Sequence, residues 1–571
     1  MRRKSGILFS IFLLATVFLV YSPALTGKFI WDDNTYVLNN QLLTAPDGLK
    51  RIWFSLDSPS QYFPLTYTVF RIERDLWGLQ TTGYHAVNIL LHTANAILIW
   101  QLLIGLSAPG AELAAVIWAL HPVQVESVAW ISELKNVLST FFYLLALLLW
   151  LDSDVEPNTS SYRLSGSFLM YLLALSAKTT ACTLPIAMVI CSWIKGKKLT
   201  FQKWLEVGFF MMVGMFAGFF CIWWENWAHG PSEYYVHLSV LESFLVASKA
   251  LWFYIFKLLF PLPIIFSYPK WNINPHVVSQ YSWPILCLGT GIFLWLNRYR
   301  WPKIVLAILF FVLTLSPLLG FIPLYTFRYT YVADHYQYLA CAGPIALFAA
   351  CLTKYFNSNK VKSFFPFVCA ILIGMLGFLS WRQAHAYRNI EDLWQDTLRK
   401  NPNSSLAHNN WGIILAKNNK PTKAITEFEQ AIKNNPDDEE AYYNLGVVLA
   451  GQNDLSGAAS ALQHAINIYK KELPPTYKIE GHLMVDTAFS RAYNHLGIVL
   501  AEENTPSKAI AAFKQSIKID PDNAEACNNL GTAWAQQGNS LGAIVEFKEA
   551  LKINPAYMLA RHNLNVLTNS P

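Results

Sequence analysis

The sequence predicts an all-α protein in two parts: a multi-pass transmembrane helical module of about 11 spans, then an α-solenoid of short helical repeats. Three observations predict it. Apolar residues make up 54% of the 571-residue chain. Charged residues make up only 14%, against about 25% in ordinary globular domains. The deficit is uneven: residues 1–381 hold 42 charged side chains, and the 190 residues from Arg382 hold 38. The charge step and a repeat period after it divide the chain into a membrane module over 1–382, a hinge over 383–400 and a repeat array over 401–571.

The first element follows Met1-Arg2-Arg3-Lys4 and runs apolar from Gly6 to about Leu25. A signal peptide is the alternative, but no small-residue cleavage pattern follows, and the run is long enough to span a bilayer. It is read as a retained helix. Further apolar runs lie near 84–104, 110–122, 127–150, 166–178, 180–195, 204–224, 283–297, 303–319, 333–353 and 363–381. Basic short loops face the cytoplasm. The clusters at Arg2, Arg3 and Lys4, at Lys195, Lys197 and Lys198, at Arg298, Arg300 and Lys303, and at Lys354, Lys360 and Lys362 all fall inside if there are eleven spans. Counting residues 243–262 as a span would invert two of these loops, so that segment is read as interfacial or re-entrant. The repeat array and the loops at 26–83, 121–127, 178–181, 225–282 and 320–334 then share the outer side. That side is the periplasm of a bacterial inner membrane, or the lumen of the endoplasmic reticulum in a eukaryote.

The array repeats visibly. Trp411-Gly412, Leu445-Gly446, Leu496-Gly497 and Leu530-Gly531 are spaced 34, 51 and 34. Ala424, Ala458, Ala509 and Ala543 keep that spacing, as do Phe428, Leu462, Phe513 and Phe547. A 34-residue helix–turn–helix period is the tetratricopeptide signature. The 51-residue step implies an insertion near 470–487 that lengthens a helix and adds a loop. Such arrays present a concave surface to protein partners. No basic run interleaves with aromatics, which argues against nucleic acid. The eight cysteines contain no C-x-x-C pair, so they read as small buried hydrophobes rather than zinc ligands.

Four polar clusters carry the candidate chemistry. The adjacent carboxylates Asp32 and Asp33 follow the first helix. A second cluster runs from His121 through Glu126 and Glu133 to Lys135 and Asn136; the spacing of the two glutamates predicts one helical face. Lys178 sits at a break between apolar runs, placed to hold a phosphate. Arg328, Asp334, His335 and Tyr336 open the tenth span. Asn88, His92 and Asn95 form a stripe on the second span, with His85 beside it, and such a stripe turns toward the bundle interior. Each cluster has a plain alternative: solvated helix ends, a flanking salt-bridge network, a snorkelling lysine, an aromatic belt. A single outward-facing site accounts for all four together.

These residues, in this order, resemble the C-type (GT-C) glycosyltransferase superfamily. They are most similar to protein O-mannosyltransferases that join a multi-spanning module to tetratricopeptide repeats. The resemblance rests on Asp32-Asp33, on Tyr84-His85-x-x-Asn88-x-Leu90-Leu91-His92-x-x-Asn95, on His121-Pro122-x-x-x-Glu126-x-Val128, on Lys178, and on Ala333-Asp334-x-Tyr336-x-Tyr338-Leu339. His335 and Thr179 depart from the expected pattern. The resemblance implies a polyprenyl-phosphate-linked sugar, commonly mannose, as donor, Ser or Thr hydroxyls of proteins as acceptors, inversion at the anomeric carbon, and no required cofactor or metal. It implies one aspartate of the pair as base; Asp32 is favoured, with Asp33 orienting acceptor or base, and the residues alone leave the choice between them open. Lys178, His335 and Arg328 would stabilise the leaving phosphate, and Glu126 and His121 would hold sugar hydroxyls or the loop. The array would recruit acceptor proteins. A lipid or polysaccharide acceptor, or a non-catalytic scaffold, are the competing readings.

Overall fold

The computed structural model describes residues 2–55, 61–153, 160–229, 236, 238–358, 362–472, 476–479, 482–485 and 487–569. Lys360, residues 230–235 and 237 of the 225–282 segment, and residues 473–475, 480–481 and 486 of the insertion lie outside them. The described residues up to Asp396 form one compact unit, and those from Thr397 a second. Residues 383–400 are structured: the helix Ile390–Lys400 begins in the first unit, where Tyr387, Leu393 and Trp394 are buried.

Among the described residues of the first unit four helices are long and apolar enough to cross a membrane: Thr81–Gly105, Ile131–Asp152, Phe201–Trp224 and Lys362–Tyr387. Their positions differ. The second is 72% buried over its apolar window, whereas the last two are 22% and 17% buried. The first value marks a helix at the centre of the bundle. The low values mark helices whose apolar surface needs an apolar solvent. No residue of Ser282–Leu296, all of them described, is buried, although Ile285, Leu288, Trp295 and Leu296 are large and apolar.

Two expected spans start late. The run over 127–150 breaks into a short helix Val125–Ala129, a 3-10 turn Ile131–Glu133 and the helix Leu134–Asp152. The run over 333–353 opens with the turn Asp334–Gln337, and its helix begins at Ala342. Glu126 and Glu133 therefore do not share a helical face. The breaks persist because distant side chains take up the freed backbone groups. Asn88 Nδ2 donates to the Trp130 carbonyl at 3.1 Å, and the Ser132 amide donates to Asp33 Oδ1 at 2.8 Å. The segment expected as re-entrant contains the helix Val240–Leu259. Among the cysteines, Cys351 is exposed, contrary to the buried reading, while Cys191, Cys221, Cys341 and Cys527 are buried.

The described residues of the second unit include four antiparallel helix pairs and a closing helix, Met558–Asn569. Each turn between paired helices needs one left-handed residue, and Asn419, Asn453, Asn504 and Gly538 supply it, with φ of 56°, 65°, 57° and 78°. Asparagine and glycine tolerate that region best. The insertion extends the second pair's outer helix to Leu455–Glu472 and adds two short antiparallel strands, Thr476–Ile479 and His482–Val485. A small strand pair thus interrupts the all-α expectation.

Paired helices cross where glycine permits. A Cβ at Gly497 would lie 2.5 Å from Phe513 Cε1, and one at Gly412 2.6 Å from Phe428 Cε1. Gly497→Ala is expected to destabilise the array by about 1–3 kcal/mol, since Phe513 must leave its packing. Hydrogen exchange on the full chain checks this; unchanged protection in Thr487–Glu502 and Pro506–Ile519 would contradict it.

Candidate functional site

The site is built on the turn that follows the first helix. Trp31 adopts φ 46°, a costly left-handed conformation for a bulky residue. It is held against Trp394 and Phe266, with ring centroids 5.0 and 6.4 Å away. The kink separates the fates of the next two residues.

Asp33 turns inward and is fully buried. Its Oδ2 accepts the Ile30 amide and its Oδ1 the Ser132 amide, both at 2.8 Å. Both oxygens are occupied, so Asp33 is a clamp between two loops and not a free base. Burial pushes its carboxyl up to about 7, against those two amides, which favour the charged form. Asp33→Ala is expected to cost about 2–5 kcal/mol, because two buried amides lose their acceptor. Thermal unfolding in detergent measures it, and a change under 1 kcal/mol, roughly the worth of one ordinary hydrogen bond, would argue against the clamp.

Asp32 is half-buried and makes no side-chain hydrogen bond or ion pair among the described residues. Burial pushes its carboxyl above the usual range; Lys135 and His335 oppose that push and Glu133 adds to it. These neighbours belong to one network. Lys135 Nζ lies 2.9 Å from Glu133 Oε1, and packs 4.8 Å from the ring centre of Tyr36. Asn136 joins the rest: its Nδ2 donates to Glu133 Oε2 and, at 3.1 Å, to the His335 carbonyl. Its Oδ1 accepts Lys178 Nζ at 2.7 Å. Lys178 is buried in extended backbone between the helix Ser160–Ala177 and the turn Thr179–Thr183. Glu126 holds residue 335 twice: Oε2 accepts its amide at 3.0 Å, and Oε1 lies 3.0 Å from the ring Nδ1. Asn136, Thr140, Thr180, Thr183, His335 and Tyr336 line one pocket here.

The remaining expected site residues are tied to further partners. His121 Nε2 meets the Leu258 carbonyl at 3.1 Å, which ties down the helix Val240–Leu259. Asp334 Oδ2 accepts the Tyr268 hydroxyl at 2.8 Å. The Tyr336 hydroxyl pairs with Thr326 Oγ1 at 2.5 Å. Arg328 ends the turn Tyr325–Arg328, where its carbonyl accepts Lys270 Nζ at 3.0 Å.

The polar stripe is interior but stitches helices together instead of lining a cavity. His92 joins the Tyr338 hydroxyl at 2.8 Å and the Ala119 carbonyl at 2.9 Å. Asn95 donates to the Val137 carbonyl at 2.9 Å, and His85 packs against Gly27. The hub is Asn136, which the sequence placed at the end of the second cluster without a role; its one visible signal is a polar residue at the start of an apolar helix, directly after Lys135.

Residues 409–472 match a tetratricopeptide repeat family, 497–538 a TPR repeat family, and 524–557 a further tetratricopeptide repeat family. The chain is 25% identical over 476 residues to "Protein O-mannosyl-transferase F38B6.6" of Caenorhabditis elegans, covering 75% of this chain and 63% of that protein. It is 29% identical over 187 residues to "Protein O-mannosyl-transferase TMTC4" of Homo sapiens, covering 28% of this chain and 25% of that one. The chain thus spans less than two thirds of the length of these relatives. A solved structure titled "Crystal structure of MamA" is 25% identical, covers 28% of this chain and 85% of its own, and superposes with a TM-score of 0.25.

Proposed function

We propose that this chain is a membrane glycosyltransferase that moves mannose from a polyprenyl-phosphate donor to Ser and Thr hydroxyls of proteins, with inversion. The observation that carries the reading is the asymmetry of the aspartate pair: Asp33 is consumed by two backbone amides, while Asp32 faces Lys135, Glu133 and His335 without a side-chain partner. The similarity to proteins named O-mannosyl-transferases supplies the reaction class.

The acceptor hydroxyl attacks C1 of the sugar from the face opposite the phosphate. The new C–O bond forms as the C1–phosphate oxygen bond breaks. Asp32 takes the hydroxyl proton. The leaving polyprenyl phosphate carries off the electron pair, and Lys178, steadied by Asn136, and His335, steadied by Glu126, neutralise its charge. The module crosses the membrane about 11 times, its site opens on the periplasmic or luminal face, and the repeat array lies on that face and recruits acceptor proteins.

The test is transfer from a radiolabelled polyprenyl-phosphate mannose by the reconstituted full chain. Label released from protein by β-elimination supports the reading. Label only in lipid or polymer, or no transfer, overturns it. Appending a glycosylation reporter to the C-terminus separately tests the side on which the array lies.

A further inference from the structure

A second cavity lies apart from the aspartate site. It is a groove with about 360 Å³ of free volume, between the helix Val240–Leu259, the segment after it and the start of the helix Ser282–Leu296. Lys249, Phe253, Phe256, Lys257, Trp271 and Trp283 line it. None of these residues lines the pocket beside Asn136 and His335.

The sequence builds this lining deliberately. Lys249, Phe253, Phe256 and Lys257 recur at i, i+4, i+7 and i+8, one stripe of a helix. Lys249 Nζ sits 4.4 Å from the ring centre of Trp271, and Lys257 Nζ 5.0 Å from that of Tyr268. Lys249 makes no ion pair or hydrogen bond among the described residues. Lys257 Nζ also donates to the Pro263 carbonyl, an ammonium having three protons to give. Two ammonium groups thus line an otherwise apolar groove. Snorkelling lysines would splay toward water instead of over rings in one cavity. The open side is Phe256, Phe260 and Leu262, at 47%, 70% and 53% exposure, next to a helix that buries nothing. A ligand enters such a groove from the bilayer.

We propose that this groove binds an anionic phospholipid of the surrounding bilayer, with its phosphate between Lys249 and Lys257 and an acyl chain along Phe253, Phe256 and Trp283. Charge complementarity selects the headgroup, and the apolar floor selects the chain. The proposal does not rest on the transfer reaction.

Native mass spectrometry of the full chain in detergent tests it, with phosphatidylglycerol and phosphatidylcholine as probes. Phosphatidylglycerol is expected to be retained preferentially, by about fivefold per lysine. Lys249→Gln with Lys257→Gln is expected to abolish the preference. Lys249→Arg with Lys257→Arg is expected to keep it, and Lys303→Gln, on an exposed lysine elsewhere, to leave it unchanged. Equal retention of the two lipids, or a preference that survives the double glutamine variant, overturns the proposal. So does displacement of phosphatidylglycerol by stoichiometric polyprenyl phosphate, which would assign the groove to the donor. If the glutamine variant does not fold, the arginine variant still decides: loss of preference there, with the fold retained, contradicts the assignment.

Discussion

Asp32→Asn is expected to lower sugar transfer by about 10²–10⁴-fold, the usual worth of a positioned general base. Shape is nearly conserved and no described hydrogen bond is broken, so stability should change little. That distinguishes it from Asp33, whose replacement acts on folding. The same assignment fixes a pH dependence. Burial holds the Asp32 carboxyl above the ordinary aspartate range, and the base must be ionised to accept a proton. Activity is therefore lost as pH falls through the folded-state value, with the acid limb of kcat/KM above the ordinary aspartate range. Full activity in Asp32→Asn, or an acid limb within or below the ordinary aspartate range, would remove Asp32 from the mechanism.

Lys178→Met is the second large effect expected, about 10²–10³-fold in kcat. The methionine keeps the stem's volume but deletes the charge that offsets the leaving phosphate. It also leaves Asn136 Oδ1 without its 2.7 Å donor, which adds about 1–3 kcal/mol of destabilisation. Steady-state kinetics separate the two roles. A fall in kcat that persists well below the lowered melting temperature, where the variant is fully folded, supports charge stabilisation. A melting shift with kcat intact would make Lys178 a packing residue only.

The repeats were legible because their constraint is local and periodic. Gly497 against Phe513 is a contact between helices of one pair, and the same contact recurs at Gly412 and Phe428. The interior direction of Asn88, His92 and Asn95 was legible for a similar reason, since helical spacing alone aligns them. What spacing could not convey was long-range capping. Asp33 and Ser132 are 99 residues apart, and no pattern in either segment announces that one caps the other. Assuming an unbroken helix put Glu126 and Glu133 on one face; the break at Trp130 put them on either side of a turn. His121 and Asp334 were read as ligand-facing because polar residues near a membrane invite that reading. Their partners, the Leu258 carbonyl and the Tyr268 hydroxyl, lie in a segment with no motif of its own.

Under the proposed membrane arrangement, the exposed helix Ser282–Leu296 would have a consequence for the lipid around it. Its 15 residues rise about 22 Å, short of a hydrocarbon core about 30 Å thick. In the eleven-span arrangement the two leaflets must pinch toward each other beside this helix, or its flanking residues must stretch to reach water. Pinching lowers the phosphate plane just where Trp283 meets Lys249 and Lys257. Acyl-chain length then becomes a control variable: short-chain bilayers fit this rim at rest, and long-chain bilayers load it with elastic strain.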